Sequence, residues 1–335
     1  MPEQRIARYD KLDGLRAYSA IGIVLMHVLL NGSYELGGFV FDELIPSFAD
    51  LVFLFMVISG FSLCCGYYEK IVNGQISLSQ FYKKRFMKVW PFFAILCVLD
   101  FAFSPSLTAL YELLADLTLC FGLIPNAEIT VIGVGWFLGL VFVFYFLFPF
   151  FCYLLSDKRR AWFSVGVALL LNFLCEEYFD AGRSSIASSA VFFLAGGMIY
   201  LYRDALRKLV DKLWWAVLLC VAAAIAVYFL VSKVDIVILL IVVLITIYAL
   251  RTPKRSATAL CNPVAKKLSG LSMEIYLSHM VIFRVAEKAG LTHLLASDGF
   301  SYAIAAVLTI VGAILFSAVG QKVLNLMWKR ITIKK

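Results

Sequence analysis

Apolar runs of roughly 16–23 residues recur along the whole chain, separated by short polar segments. Such a run, at 1.5 Å per residue, is what an α-helix needs to cross about 30 Å of hydrocarbon. The pattern predicts ten spans, at about 14–31, 48–66, 88–104, 132–154, 160–175, 186–202, 213–231, 234–250, 268–287 and 301–327. The stretch at about 107–125 is also apolar, but Glu112 and Asp116 interrupt it, so it reads as interfacial or re-entrant. The expected fold is therefore an all-α polytopic membrane bundle.

The charges between runs alternate in sign. Arg5, Arg8 and Lys11 precede the first run; Lys70, Lys83, Lys84 and Arg85 follow the second; Lys158, Arg159 and Arg160 follow the fourth. Arg203, Arg207, Lys208 and Lys212 follow the sixth, Arg251, Lys254, Arg255, Lys266 and Lys267 the eighth, and Lys329, Arg330, Lys334 and Lys335 the last. The other loops hold Glu35, Asp42, Glu43, Glu112, Asp116, Glu128, Glu176, Glu177 and Asp180, with Arg183, Lys233 and Lys288 as their cations. The positive-inside rule then places both termini in the cytoplasm. An eleventh span at 107–125 would invert every later loop and break the alternation.

Composition supports the same class. The 335 residues are 62% hydrophobic and 16% charged, where soluble domains run near 45–50% and 25%. The net charge of +8 follows from topology and anionic lipid headgroups; no basic segment interleaved with aromatics suggests nucleic acid. Eight cysteines are scattered without a C-x-x-C pair, and Cys64 and Cys65 are adjacent, so neither a disulfide framework nor a metal centre is expected. The basic-then-apolar start resembles a signal peptide but lacks a small-residue cleavage site, and it reads as a retained first helix. One membrane domain over 1–335 is expected, with no appended soluble domain and no oligomeric state specified.

Against this background a few polar residues stand out. Arg16 and His27 lie eleven residues apart in the first run. On a helix that spacing returns to within about 20° of the same face, with about 16 Å of rise between the two. Ionisable groups at such depth cost roughly 2.5–3.5 kcal/mol on insertion scales and commonly mark a functional path. The plainer readings are a snorkelling cation and a histidine bonded to a neighbouring helix. His279, near the middle of the ninth run with Glu274 nearer its inner side, is a second intramembrane histidine; His293 falls in a loop and reads as surface. Arg85 and Lys88 share a helical face at the start of the third run, where Pro91 fits a first-turn position, and they form a candidate anion site with Arg16. Asp13 is a candidate helix cap or a partner that orients Arg16. Ser59 and Gly60 permit close helix approach, and Trp136, Tyr145 and Pro149 mark an aromatic outer entrance.

In combination these segments resemble the acyltransferase-3 family of integral membrane acyltransferases. The matching features are Leu12-Asp13-Gly14-Leu15-Arg16 with His27 after ten intervening residues, Phe53-Leu54-Phe55 with Ser59-Gly60-Phe61, and Arg85-x-x-Lys88-x-x-Pro91. Trp136-Phe137-Leu138 with Tyr145 and Pro149, and Ile275-Tyr276-Leu277-Ser278-His279, complete the set. Two positions depart from the pattern: Lys88 where many relatives carry Arg, and Val141 where many carry an acid. The second points to the branch resembling polysaccharide-modifying acetyltransferases.

The resemblance implies transfer of an acyl group, usually acetyl, from cytoplasmic acyl-CoA to a hydroxyl of a surface polysaccharide, lipid-linked glycan or other envelope carbohydrate. It implies acyl-CoA as co-substrate with no bound cofactor, and a multi-pass protein of the plasma membrane, in a bacterium the inner membrane. Partners are then lipids, acyl-CoA and a carbohydrate acceptor. Arg16, Arg85 and Lys88 would hold phosphates, aided by Asp13, while His27 acts as general base or carries the acyl group briefly. His279 would polarise the thioester carbonyl or position the acceptor, and Trp136, Tyr145 and Tyr276 would contact it. A transporter using His27, His279 and Glu274 as a proton relay is the rival reading, and a non-catalytic membrane sensing domain is a third.

Overall fold

The computed structural model describes residues 9–119, 121–123, 134–179, 181–252 and 258–333, with side chains to residue 327. Of the charge pattern, Arg5, Arg8, Glu128, Asp180, Lys254, Arg255, Lys334 and Lys335 lie outside the described residues, as do the side chains of Lys329 and Arg330. Helices follow one another throughout. They are α1 (Asp10–Asn31), α2 (Leu51–Leu63), α3 (Glu69–Val72), α4 (Leu78–Phe103), α5 (Leu107–Leu117), α6 (Trp136–Leu155) and α7 (Lys158–Glu177). Then come α8 (Ile186–Leu201), α9 (Arg203–Leu230), α10 (Asp235–Ala249), α11 (Pro263–Gly270), α12 (Ser272–Lys288) and α13 (Asp298–Ile333).

Each of the ten predicted runs overlaps a helix, the fourth only from Trp136 onward, since 132 and 133 lie outside the described residues, and the ninth across the end of α11 and most of α12. Among the described residues six are long and apolar enough to cross a membrane: Asp10–Asn31, Val40–Val72, Leu78–Phe103, Trp136–Leu155, Arg203–Leu230 and Asp298–Met327. Helices α8 and α10 are apolar but shorter. Helix α7 is outside the set because charged residues occupy both its ends, and α12 because it has 17 residues and carries Glu274, Arg284, Glu287 and Lys288. Helix α5, with eleven residues, rises about 16 Å, half the hydrocarbon thickness.

The helices pack into two compact units. The first comprises Met1–Arg16, Val52–Lys83 and Leu140–Lys266; the second comprises Ala17–Leu51, Lys84–Gly139 and Lys267–Lys335. Helix α1 contributes its start to the first and the rest to the second.

In the first unit, α2 and α8 meet backbone to backbone. A Cβ on Gly60 would collide with the Phe193 carbonyl, and one on Gly196 with the Val57 carbonyl. This approach lets Phe53 stack on Phe192, and Phe144 of α6 on Phe193, each at 4.2 Å between ring centres. Buried Asn172 ties α7 to α8 and α10: its Nδ2 donates to the Ser188 carbonyl at 2.9 Å and to the Asp235 carboxylate at 2.8 Å. Such pairing is required where a polar amide leaves water.

In the second unit, α12 packs along α13. A Cβ on Gly312 would press on Ile282, and Gln321 donates to the Glu274 carboxylate at 2.7 Å. Tyr302 Oη donates to the Leu25 carbonyl, and His293 Nε2 to the Gly32 carbonyl at 2.8 Å, fixing the far end of α1. The exposed His293 thus pins a loop.

Helix α4 differs from its sequence expectation. It starts at Leu78, so Pro91 lies inside it and not in its first turn. The cause is a capping box. Ser77 Oγ accepts from the Gln80 N–H at 3.2 Å, and Gln80 Oε1 accepts from the Ser77 N–H at 3.4 Å.

Two outcomes follow from this packing. Gly196→Val forces a branched side chain against immovable backbone and is expected to cost at least about 1–3 kcal/mol. Gly166→Ala, which points into open space, should be neutral or stabilising. Thermal unfolding of both variants in detergent checks the contrast, and equal midpoints would contradict it. The second outcome concerns Asp116 of α5, which is 1% exposed with Oδ2 lacking a hydrogen-bond partner. Burial, with Glu112 and Asp100 nearby, pushes its carboxyl up to about 7. The fold therefore prefers the protonated acid, and its contribution to stability is lost as pH rises from near 4 through about 7. The unfolding midpoint should fall across that window, and Asp116→Asn should flatten the fall; an unchanged slope would contradict the assignment.

Candidate active site

Two histidines meet in the second unit. His279 sits on α12 and is completely buried. Its Nδ1 lies 2.6 Å from the carbonyl oxygen of Tyr276, one turn earlier in the same helix. A carbonyl only accepts, so Nδ1 carries the proton and Nε2 carries the lone pair. That Nε2 is buried and has no hydrogen-bond partner. Leaving a buried acceptor unsatisfied costs about 1–3 kcal/mol, which needs a compensating reason. The neighbour is His27 of α1, half-buried, its ring centre 5.1 Å from that of His279 and its plane tilted by 43°.

Tyr276 supports this arrangement from below. Its hydroxyl donates to the Val134 carbonyl at 3.0 Å, and its ring meets Phe137 edge-on at 5.3 Å. Half-buried Trp136, at the start of α6, lies against Phe137 at 6.2 Å. The predicted residues His27, His279, Tyr276 and Trp136 thus belong to one neighbourhood. The tautomer narrows what His279 does. Neutral and protonated on Nδ1, it accepts at Nε2; polarising a carbonyl from Nε2 would require the imidazolium. Glu274 is not part of this cluster. It stands five residues, about 140° around the helix, from His279 and receives Gln321 instead.

Arg16 belongs to the first unit. Its Nη2 donates to Ser62 Oγ at 2.5 Å, and its Nη1 lies 3.7 Å from Asp13 Oδ1. Because α1 starts at Asp10, Asp13 is inside the helix, one turn before Arg16 and beside its guanidinium, and not at the cap position. Tyr145 is buried and close enough to Arg16 to act on it electrostatically. The aromatic entrance read from sequence is therefore divided: Trp136 lies with the histidines and Tyr145 with Arg16. Nine residues of α6, about 13 Å of rise, separate the two. Half-buried Arg85 and exposed Lys88 lie one turn apart on α4, in the second unit.

Arg203 was hidden among the topogenic cations of its loop. In the first unit its guanidinium stacks 4.2 Å over the ring of Tyr200 and donates to the Tyr200 carbonyl at 2.9 Å. The signal available in sequence was an Arg three residues beyond a tyrosine, on a helix opened to close approach by Gly196 and Gly197.

The chain belongs to the acyltransferase-3 family. The family's sequence model, described as an acyltransferase domain, matches residues 9–319, taking in Arg16, both histidines and α12 entire. No curated protein and no solved structure matches the chain.

The tautomer of His279 generates a sharp outcome. Asn at this position keeps an N–H placed like Nδ1 but removes the Nε2 lone pair. His279→Asn should unfold within a few degrees of the wild type yet lose acyl transfer by about 10²-fold or more. Retention of full turnover in a folded His279→Asn protein would reduce Nε2 to a packing atom.

Proposed function

We propose that the protein is a membrane O-acyltransferase that moves an acyl group, usually acetyl, from cytoplasmic acyl-CoA to a hydroxyl of an envelope carbohydrate. The acceptor classes are a surface or exported polysaccharide or a lipid-linked glycan. The setting is the plasma membrane, in a bacterium the inner membrane, with ten spans and both termini inside. The observation that supports this most directly is the buried Nε2 lone pair of His279 beside the His27 ring.

The chemistry balances on these two rings. The acceptor hydroxyl oxygen attacks the thioester carbonyl carbon as His27 takes the hydroxyl proton. In the reaction His279 Nε2 takes a hydrogen bond from one His27 nitrogen, a bond the resting structure does not make, and so holds the tautomer that leaves the other nitrogen basic. It also steadies the imidazolium as it forms, which is the logic of an oriented general base. The tetrahedral intermediate collapses, the C–S bond breaks, and the proton on His27 passes to the departing thiolate. The products are an O-acyl ester and free CoA. A positioned base of this kind supplies roughly 10²–10⁴-fold.

Arg16, oriented by Asp13, binds donor phosphate through charge-assisted hydrogen bonds, and Arg85 and Lys88 form a second pair of cations on α4 for the same chemistry. On α1 itself the spacing from Arg16 to His27 is about 16 Å, comparable with an extended pantetheine arm. Trp136 offers a ring for a sugar face, while Tyr276, its hydroxyl held by Val134, shapes the floor beneath. A proton-relay transporter is less well supported, because Glu274 is bonded to Gln321 and lies off the histidine face of α12.

Purified protein in lipid nanodiscs, given radiolabelled acetyl-CoA, should hydrolyse it or pass label to glycan extract, and His27→Ala should lower this by about 10²–10⁴-fold. Absence of acetyl-CoA turnover together with proton-coupled solute uptake would establish the transporter instead.

A further inference from the structure

In the first unit a second guanidinium, that of Arg203, gathers at the same turn of helix as Arg16. Helix α2 runs out through a π-helical turn at Cys64–Tyr68 before α3. Such turns insert an extra residue and are frequent at functional sites. Four aromatic rings gather against this turn. Tyr9 meets Phe61 edge-on at 5.1 Å, and Tyr200 lies 6.4 Å from Phe61 and 5.5 Å from Tyr68. Arg16 reaches the same place through Ser62. Arg203 reaches it by stacking on Tyr200. Both guanidiniums are close enough to act electrostatically on the half-buried Cys65.

The two arginines thus approach Cys65 on different supports, Arg16 on Ser62 and Arg203 on Tyr200. Each guanidinium has five N–H donors, and the bonds to Ser62 and to the Tyr200 carbonyl each use one. Arg207, one turn further along α9, also acts on Tyr9, but its Nε is committed to Thr252, whose hydroxyl and N–H are bound by Asp211. A pair of stacked or hydrogen-bonded guanidiniums on an aromatic floor suits a pyrophosphate, whose oxygens take several forked donors at once.

We propose that Arg203 and Arg16 form a phosphate clamp for the nucleotide pyrophosphate of the acyl donor. This rests on the acyl-CoA reading above and assigns Arg203, on α9, a binding role. The shared chemistry is phosphate, which an anionic lipid headgroup also offers, so the test separates the two sources.

The experiment uses full-length protein in phosphatidylcholine nanodiscs, comparing wild type, Arg203→Lys and Arg203→Gln. Binding of acetyl-CoA is measured beside S-acetylpantetheine, which has the thioester arm but no nucleotide. Arg203→Gln is expected to weaken acetyl-CoA by about 10- to 100-fold, the usual loss for a charge-assisted hydrogen bond. Arg203→Lys should fall between, and S-acetylpantetheine should bind all three alike. Wild-type affinity for acetyl-CoA in Arg203→Gln overturns the clamp, as does equal weakening of both thioesters, which indicates a structural role. An effect seen only after phosphatidylglycerol is added assigns Arg203 to lipid and overturns it too. Failure of wild-type protein to bind acetyl-CoA removes the donor reading itself, an outcome distinct from the others.

Discussion

The hydrogen bond from Nδ1 of His279 to the carbonyl of Tyr276 decides what the centre of this protein can do. It fixes a proton on one nitrogen and leaves a lone pair on the other, in a place sealed from water. Everything nearby serves to keep that ring in place. Tyr276 is anchored through its hydroxyl, Phe137 braces its ring, and α13 packs on α12 with Gly312 against Ile282. A free imidazole in water samples both tautomers. Here one is selected before any substrate arrives, so the selection costs nothing during reaction.

Charge in an apolar setting obeys the same economy of partners. Arg16 is supplied with a hydroxyl from α2 and, more loosely, a carboxylate one turn earlier on α1. Asn172 spreads one amide over two helices. The apolar packing around these groups depends on places where backbone touches backbone, notably Gly60 against Phe193 and Gly196 against Val57. Without those contacts the flanking phenylalanines would not stack and the polar groups would have no fixed geometry to exploit.

Much of this was legible in the sequence, for identifiable reasons. Hydrophobic runs locate helices because hydrocarbon enforces them, and the Arg16–His27 pair was visible because one helix carries both. Helix starts were less legible. Local capping by Ser77 and Gln80 begins α4 well ahead of its apolar run, so Pro91 fell inside the helix. The pairing of His27 with His279 joins positions some 250 residues apart and depends on tertiary packing that no spacing reports. Tyr145 and Trp136 looked like one aromatic mouth because they are close in sequence, yet helix rise carries them to different neighbourhoods. Arg203 was masked by its own context, since nothing in its loop sets it apart from the neighbouring cations until the Tyr200 ring is found beneath it.

If the chemistry proposed for this protein is right, His27 and His279 act as one unit. Single-turnover consumption of acetyl-CoA by His27→Ala, His279→Asn and the double variant probes that coupling. Groups that share one step are strongly non-additive. The double variant is expected to be no slower than the slower single variant, within about threefold. Losses that multiply, so that the double variant falls by the product of the two, would show that the histidines work independently and contradict the coupling.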